Sequence, residues 1–364
     1  MKKIIFKMII LIMISIIISC SNENSGTKKE NIQLSENEKL QVFDMRYLTS
    51  ENGEYLNILL KENSKSVFVD YVFYENQSIN ALIFDTEINE GYISAEAIDD
   101  YGTNYIEGNL SDSGFSGKID DREVNFVNAK SPLSDAKVVR YSYTNISTTN
   151  ASEEDKKIFE YYSSIFLFNN DSKSAIIDKI NLDINSEITS EKLYINKLSD
   201  IKNILSNNIL PFYNDWAGKG EYGYNYYSIS EYGIDYLSEK IASINKYLYE
   251  YLGGAHGVHG KIYKVYSLSN GERLKIEDIL IDVNNLDLIN KVKEKLLSIA
   301  DEESYFNLDE LSLQENNFYI TSKGLTFTWG IYEIAPYVMG DSEVLFSIDE
   351  IMPYLKDEYK SIFE

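Results

Sequence analysis

Cysteine and histidine are almost absent from this chain of 364 residues, which contains one cysteine, Cys20, and two histidines, His256 and His259. A single cysteine forms neither an internal disulfide bond nor a thiolate metal cluster. A zinc enzyme or a catalytic triad would have to use one or both histidines. No GxSxG, HExxH or Walker sequence occurs either. We therefore expect a protein that is not an enzyme, with no catalytic residue, no metal and no cofactor.

Basic residues are scarce as well, with 34 Lys and Arg against 58 Asp and Glu, for a formal net charge of −24. A field of this sign repels phosphate backbones, so nucleic acid is not an expected partner. Hydrophobic residues make up 44% of the chain and charged residues 25%. These proportions are typical of a folded globular protein rather than a disordered one.

The apolar run near the N-terminus, Met8–Ile18, is only 11 residues long. A helix of this length is too short to cross about 30 Å of hydrocarbon. Three lysines precede the run, and a small residue and then Cys20 follow it. This order resembles a lipoprotein signal peptide with a lipobox, although an ordinary signal peptide that contains a cysteine is the alternative. We predict that residues 1–19 are removed and that Cys20 is the lipidated residue.

The segment that follows the predicted lipid, residues 20–40, is rich in Ser, Asn, Glu and Lys and has few apolar side chains. This composition indicates a solvated, flexible tether. Two or three acyl chains on one residue anchor a protein stably, so a membrane is an expected partner. The predicted location is the bacterial cell envelope, with the folded part either periplasmic or exposed at the surface.

The remaining residues predict an α+β fold, with an N-terminal, mostly antiparallel β domain followed by a mixed domain of antiparallel sheet and packed helices. Residues 41–130 show short strands separated by turn signals, as in a meander, barrel or sandwich, and serve as a binding module or as a spacer. Residues 131–250 contain helices, and residues 251–364 form the C-terminal domain. The predicted strands are 55–60, 66–74, 79–85, 92–98, 104–110, 122–128, 137–145, 222–229, 232–238, 241–251, 261–268, 273–276, 316–321, 324–329 and 342–348. The predicted helices are one that begins near 152, then 172–188, 190–207, one that Asp282 or Asn284 caps and that ends near 299, and 349–355.

Both histidines lie in residues 253–260 (GGAHGVHG), where four of eight residues are glycine. This density predicts left-handed backbone or a close approach of another segment, at Gly253 and Gly254 first of all. Two histidines do not make a zinc site, which needs three or four ligands. We therefore predict that His256 is buried in a tight turn between two strands and bonds the backbone there.

A second segment of interest is 332–337 (YEIAPY). Pro336 has no backbone donor and pushes the residue before it toward extended geometry, so the segment is expected to be a connection rather than a central strand. At least one of Tyr332 and Tyr337 should reach the surface near the glycine-rich turn. Either both tyrosines only pack this connection onto the sheet, or the connection and the turn together form a rim that faces a ligand.

Three segments resemble a known bacterial family: residues 251–257 (YLGGAHG), residues 266–280 (YSLSNGERLKIEDIL) and residues 324–340 (GLTFTWGIYEIAPYVMG). Their order is that of DUF3298, a family of unknown function marked by a GGAH turn, a hairpin and a YxIAPYxxG segment. Residues 160–250 resemble, more weakly, the partner family DUF4163. This resemblance implies a strand around 163–168 as the alternative to the helix that begins near 152. The resemblance covers about half of the chain and none of residues 21–150.

The DUF3298 resemblance implies a binding domain, because the family includes the extracellular part of a lysozyme-sensing anti-sigma factor, which binds lysozyme, and an appendage on some peptidoglycan deacetylases. The motif residues look architectural. Neither an anti-sigma segment nor a deacetylase domain is expected here.

The leading hypothesis is thus a non-enzymatic, lipid-anchored envelope protein whose C-terminal domain binds lysozyme or peptidoglycan. One alternative is an enzyme that acts on cell-wall glycan through paired carboxylates, and another is a passive surface antigen or spacer.

Overall fold

The structure is a computed structural model that describes residues 38–75, 78–99, 102–133, 135–146, 157–171, 173–218 and 224–363. The predicted signal peptide and Cys20 lie outside the described residues, as does most of the predicted tether. The first strand begins at Glu38, inside the range predicted for that tether. In the part of the chain described, no helix is long and apolar enough to cross a membrane.

Strands dominate the described residues and helices are fewer, which confirms the predicted α+β class. In chain order the strands are β1 (Glu38–Thr49), β2 (Tyr55–Lys61), β3 (Ser66–Glu75), β4 (Ser78–Glu87), β5 (Tyr92–Asp99), β6 (Gly102–Ser111), β7 (Gly114–Ile119), β8 (Arg122–Asn128), β9 (Asp135–Ile146), β10 (Ile158–Phe168), β11 (Tyr226–Leu237), β12 (Ile241–Tyr251), β13 (Val258–Ser267), β14 (Arg273–Leu274), β15 (Phe318–Thr321), β16 (Gly324–Trp329) and β17 (Ser342–Ser347). The α-helices are α1 (Ala175–Ile184), α2 (Leu198–Gly218), α3 (Ile276–Ile279), α4 (Leu286–Ile299), α5 (Ile348–Ile351) and α6 (Asp357–Lys360). Short 3₁₀ turns are found at Glu302–Ser304, Leu308–Glu310, Tyr337–Met339 and Met352–Tyr354.

Strands β1 to β8 wrap around one apolar core in an entirely antiparallel arrangement. β1 pairs with β2 on one edge and with the end of β8 on the other, so the strands form a small barrel. Among the described residues, β4 and β5 are neighbours in this barrel without backbone pairing between them. Thr86 Oγ1 donates to the Ser94 carbonyl oxygen across this seam at 2.8 Å. Apolar side chains from all eight strands fill the interior, as expected of a barrel this narrow.

The barrel continues directly into the rest of the fold, because the first part of β1 also pairs with β9. From there the sheet runs β9-β10-β11-β12-β13-β14. Among the strand pairs of the described residues, only β10 and β11 are parallel, since α1 and α2 lie between them in the chain and provide the crossover that a parallel pair needs. The two helices cover opposite faces of the sheet, α1 packing beside Phe166 and α2 beside Leu167.

Two helix predictions in this region are wrong. Residues 158–168 form β10 rather than part of a helix, which agrees with the strand around 163–168 that the family resemblance implies, and residues 151–156 lie outside the described residues. Because α1 and α2 bury both faces of β10, its apolar side chains follow no strict alternation and also match a helical period. The helix predicted over 190–207 is α2, which begins only at Leu198 and continues through Pro211. Leu193 and Ile195 pack on the same core from an irregular segment.

Strand prediction also missed β1 and β7, and it divided β11 into two strands. At the predicted break the strand is continuous, because Ser230 and Glu231 pair with β12 without interruption. The pairing shifts by one residue only between Ile234 and Tyr236, where Asp235 forms a β-bulge.

Near the C-terminus, β15, β16 and β17 form a second sheet of three antiparallel strands. One of its faces packs with α3, α4 and α5 on a large apolar core that also includes Ile241 of β12 and Val265 of β13. Its other face carries Tyr319, Thr326, Glu343 and Leu345, as the pairing register requires.

Candidate functional site

The glycine-rich turn connects β12 to β13, as predicted, and two glycines adopt left-handed backbone there. Gly253 has φ +86° and Gly254 has φ +99°. A Cβ atom on Gly253 would lie 2.8 Å from the Cβ of Tyr224, so a side chain is excluded by contact as well as by conformation. The Tyr251 hydroxyl donates to the Gly254 carbonyl oxygen at 2.9 Å. The turn is therefore closely held by its own neighbours.

The prediction that His256 is buried is wrong, because the residue is exposed. One face of its imidazole stacks on Tyr337, with ring centroids 4.1 Å apart and planes 26° apart. Its Nδ1 lies 2.9 Å from the Gly257 carbonyl oxygen, so the predicted bond to backbone is present. The ring is therefore exposed while it stacks on Tyr337.

The 332–337 segment lies in the connection between β16 and β17, and it reaches the glycine-rich turn. The Tyr337 hydroxyl donates to the Gly257 carbonyl oxygen at 2.9 Å. The edge of the same ring meets His259, at a centroid distance of 5.9 Å, and Tyr332 lies 5.9 Å away on another side. Tyr332 is 46% exposed. The structure thus brings together the tyrosines and the histidines that sequence analysis singled out.

We name His256, His259, Tyr332 and Tyr337 the aromatic rim. Exposed apolar side chains flank it in the sequence on both segments, and these are Leu252, Val258 and Val338.

Glu333 fixes the backbone of the connection between β16 and β17. Glu333 Oε2 accepts from the Gly330 amide at 2.8 Å and from Asn317 Nδ2 at 2.9 Å. Tyr332 has φ +66°, a value that a bulky residue adopts only where its surroundings impose it. The rim tyrosines therefore extend from a fixed loop.

A cleft of about 340 Å³ lies near the same connection, where the barrel approaches the three-stranded sheet. Asp341 and Glu343 line it together with Lys261 and Thr326. Its apolar walls are Ile79, Ile299, Met339 and Leu345, with Tyr305 and Ser342 completing the lining. We call it the carboxylate cleft. No local sequence pattern marks these residues, because two carboxylates among 58 acidic residues give no signal.

The two carboxylates of the cleft have different surroundings. Burial raises the pKa of Asp341, and the nearby Glu343 raises it further, whereas His259 and Lys261 oppose the shift. The Glu343 carboxylate accepts hydrogen bonds from the hydroxyls of Tyr263 and Tyr319, both at 2.9 Å. The two tyrosine rings stack with centroids 4.3 Å apart, so Glu343 is held in one position.

Behind the cleft, a buried polar network joins the outside of the barrel to β11. Asp235 accepts from Asn245 Nδ2 at 2.7 Å, and its backbone oxygen accepts from the Tyr47 hydroxyl at 3.2 Å. Burial raises the pKa of Asp235 to about 7 and that of Asp70 to about 6, with Lys261 opposing both shifts. Two carboxyl groups that titrate near neutrality therefore lie at the junction between the barrel and the rest of the molecule.

Across the described ranges, no group of three or more His, Cys, Asp or Glu side chains is arranged to hold a metal ion. Cys20 lies outside those ranges, so its predicted lipidation stays a prediction.

Comparison with known proteins confirms the resemblance of the C-terminal region. Residues 277–349 match the model of a family described as "Protein of unknown function (DUF3298)". The matched range includes the 332–337 segment, but it begins after the glycine-rich turn. Among curated proteins, none matches the chain.

Two solved structures are similar to the chain. One is a DUF3298 family member from Bacteroides fragilis, with 19% identity, a TM-score of 0.47, and coverage of 61% of this chain and 94% of that one. The other is a DUF3298 family protein from Pseudomonas aeruginosa, with 13% identity, a TM-score of 0.39, and coverage of 60% of this chain and 94% of that one.

Proposed function

We propose that this chain is a lipid-anchored binding protein of the bacterial cell envelope, and that its aromatic rim contacts a protein or glycan partner. The observation that carries the proposal is the rim itself, in which four aromatic or imidazole rings from two distant segments meet at an exposed position. No step of catalysis is part of this proposal.

The rim has the properties of a recognition surface. Tyrosine offers a large amphipathic contact area at low entropic cost, because it has only two side-chain torsions. The loop that bears Tyr332 and Tyr337 is held by Glu333 and by the bond to Gly257, so little further ordering is needed on binding. Exposed Val338 and Leu252 add apolar surface at either segment, and such surface is commonly functional.

Lysozyme and peptidoglycan are the first partners to test. The DUF3298 resemblance suggests both. Removal of residues 1–19 would take away Lys2, Lys3 and Lys7 and change the net charge from −24 to about −27. A strongly acidic surface accelerates encounter with a cationic partner, and many lysozymes are cationic.

The experiment measures binding of the chain that begins at residue 21 to immobilised lysozyme and to purified muropeptides. Substitution of both Tyr332 and Tyr337 by Ser is expected to lower affinity at least tenfold. The matched control is Tyr92→Ser, which removes a similarly exposed tyrosine from the barrel. If the double variant keeps its circular dichroism spectrum and binds like the wild type, the rim is not the binding surface.

Anchoring is tested separately through Cys20. The Cys20→Ala variant is expected to leave the membrane fraction or to accumulate as an uncleaved precursor, because no thiol remains to accept the lipid. Partition into detergent phase and labelling with a radioactive fatty acid measure this. A variant that is still acylated would exclude the lipoprotein assignment.

The carboxylate cleft favours one alternative, an enzyme that acts on cell-wall glycan, because glycosidases use two carboxyl groups in a cleft and burial raises the pKa of Asp341. The test is release of reducing sugar from peptidoglycan. Turnover that Asp341→Asn abolishes would replace the binding proposal with the enzyme.

A further inference from the structure

We propose that the carboxylate cleft binds a cationic group on an aliphatic stem, namely a protonated amine or a guanidinium. This site is distinct from the aromatic rim, and the inference does not depend on what the rim binds. Three observations carry it, and they concern buried acceptors, net charge and the shape of the walls.

The first observation is an unused hydroxyl. Thr326 is 0% exposed, and its Oγ1 is buried without a hydrogen-bond partner among the described residues. Thr326 is paired with Leu345 across β16 and β17, so its side chain projects on the face that also carries Glu343. Thr326, Glu343 and Leu345 all line the cleft. Other buried hydroxyls also lack a partner among the described residues, but Thr326 is the one that lines the cleft, so its position is what points to a ligand there.

A second acceptor belongs to Asp341, which also lines the cleft. Asp341 Oδ1 is buried and has no hydrogen-bond partner in the part of the chain described. An ionised carboxylate only accepts hydrogen bonds, so its natural partner is a donor, preferably a charged one. Burial holds the pKa of Asp341 above its usual range. A cation in the cleft would favour the ionised form and oppose that shift.

The charge balance selects a cation over an anion. Two carboxylates line the cleft, and Lys261 is the only basic residue that does so. Lys261 is exposed and makes no ion pair within 4 Å with a described carboxylate, and its charge opposes the raised pKa of Asp341 without balancing both carboxylates. Glu343 is already fixed by Tyr263 and Tyr319, and each of its oxygens retains a free acceptor site. The electrostatic field of the lining is therefore negative and preorganised.

The shape fits a narrow aliphatic stem. The volume of about 340 Å³ is at the lower end of ligand sites, and four aliphatic side chains form the walls. A methylene chain can pack between Ile79 of the barrel and Leu345 of β17 while its charged end reaches Asp341. The same chemistry occurs in free aliphatic amines and in lysine or arginine side chains of a protein.

Isothermal titration calorimetry of the full chain tests the inference with four probes: pentylamine, agmatine, a short lysine- and arginine-containing peptide, and 1-pentanol as the neutral match of pentylamine. We expect binding of at least one cationic probe and none of 1-pentanol. Binding of free amines would identify small-molecule ligands, and binding of the peptide alone would identify a partner's side chain. No binding of any cationic probe would overturn the inference.

Variants separate recognition from stability. Asp341→Asn should lower the affinity for the cationic probe at least tenfold. Asp349→Asn, which changes an exposed carboxylate outside the cleft, should leave that affinity unchanged. Lys261→Met should raise the affinity for a cationic probe and would lower the affinity for an anion. Thr326→Val should keep or raise the melting temperature while lowering affinity several-fold, because the hydroxyl has no partner in the fold. Equal affinity in wild type, Asp341→Asn and Thr326→Val would contradict the site.

Discussion

His256 and Tyr337 share one acceptor, the backbone oxygen of Gly257, which lies 2.9 Å from the histidine Nδ1 and 2.9 Å from the tyrosine hydroxyl. The two rings also stack on each other. Gly257 belongs to the turn between β12 and β13, whereas Tyr337 belongs to the connection between β16 and β17. A single carbonyl therefore ties the larger sheet to the smaller one at the rim.

The Tyr337→Phe variant tests this tie. The stack on His256 is kept, and only the hydrogen bond to Gly257 is lost. We expect the free energy of unfolding to fall by about 1 kcal/mol, the usual value of one partly buried hydrogen bond. Urea unfolding measures it. Tyr332→Phe is the matched control, because the Tyr332 hydroxyl has no acceptor among the described residues. Equal effects of the two substitutions would argue against the shared carbonyl as the tie.

The His256→Ala variant tests how little the exposed histidine contributes to the fold. We expect a loss below about 1 kcal/mol, since an exposed ring supported on one face buries little area. Gly253→Ala is the contrasting variant, because it forces a side chain into left-handed backbone and against Tyr224. That change should cost at least about 1–2 kcal/mol. A larger effect for His256→Ala than for Gly253→Ala would show that the histidine, not the glycine, holds the turn.

The barrel strands were predictable where only one side of the strand is buried. In β6 the burial alternates strictly along the second half of the strand, and the sequence alternates with it. The same rule failed at β10, whose two faces are both covered. It also failed at β11, where residues 227–231 are all half-buried and show no alternation. Alternation of polar and apolar residues indicates a strand with one exposed face. It no longer identifies a strand where tertiary packing covers both faces.

The two candidate sites differ in how far sequence could reach them. The rim was found because glycine and proline constrain the backbone locally, and such constraints can be read without the fold. That the two segments meet depends on pairing between distant strands, which no local pattern specifies. The cleft was not found because Asp341 is unusual only in its burial and in its neighbours, and both are properties of the folded chain.

A buried charge cluster beside α1 gives the third prediction. Glu187 accepts from Lys246 on β12 and from Lys264 on β13, both at 3.1 Å. The two lysine side chains are only 8% and 5% exposed. Glu187→Ala would leave two buried ammonium groups without their carboxylate, although Lys264 keeps the Asp183 carbonyl oxygen at 2.7 Å.

We expect Glu187→Ala to lower the free energy of unfolding by about 1–3 kcal/mol. The value stays below that of a fully buried pair because the Glu187 side chain is 38% exposed and water screens it. Glu272→Ala, which removes an exposed ion pair with Lys179, should cost less than about 1 kcal/mol. Adding Lys246→Met to Glu187→Ala should restore part of the loss. Failure of that rescue would indicate a packing effect instead of an unpaired charge.

The last prediction concerns pH and the polar network between barrel and sheet. An aspartate in an unfolded chain has a pKa of about 3.9, whereas burial raises that of folded Asp235 to about 7. Between these values the folded state binds more protons than the unfolded state, so stability from this group is complete below about pH 4 and is lost as the pH rises through 7. Asp70, with a pKa of about 6, acts in the same direction. Other carboxylates, such as Asp287, have lowered pKa values and act in the opposite direction.

The Asp235→Asn variant isolates the contribution, because the amide keeps the shape of the side chain and cannot ionise. Wild type and variant should be similarly stable near pH 4. Above it the variant should gain on the wild type by up to about 1.4 kcal/mol per pH unit, until the difference levels off above pH 7. Urea unfolding at pH 4, 5, 6, 7 and 8 measures the difference, and Asp309→Asn, on an exposed aspartate, is the control. A difference between wild type and Asp235→Asn that does not change with pH would mean that Asp235 is ionised throughout, and the junction would then be held by a buried charge.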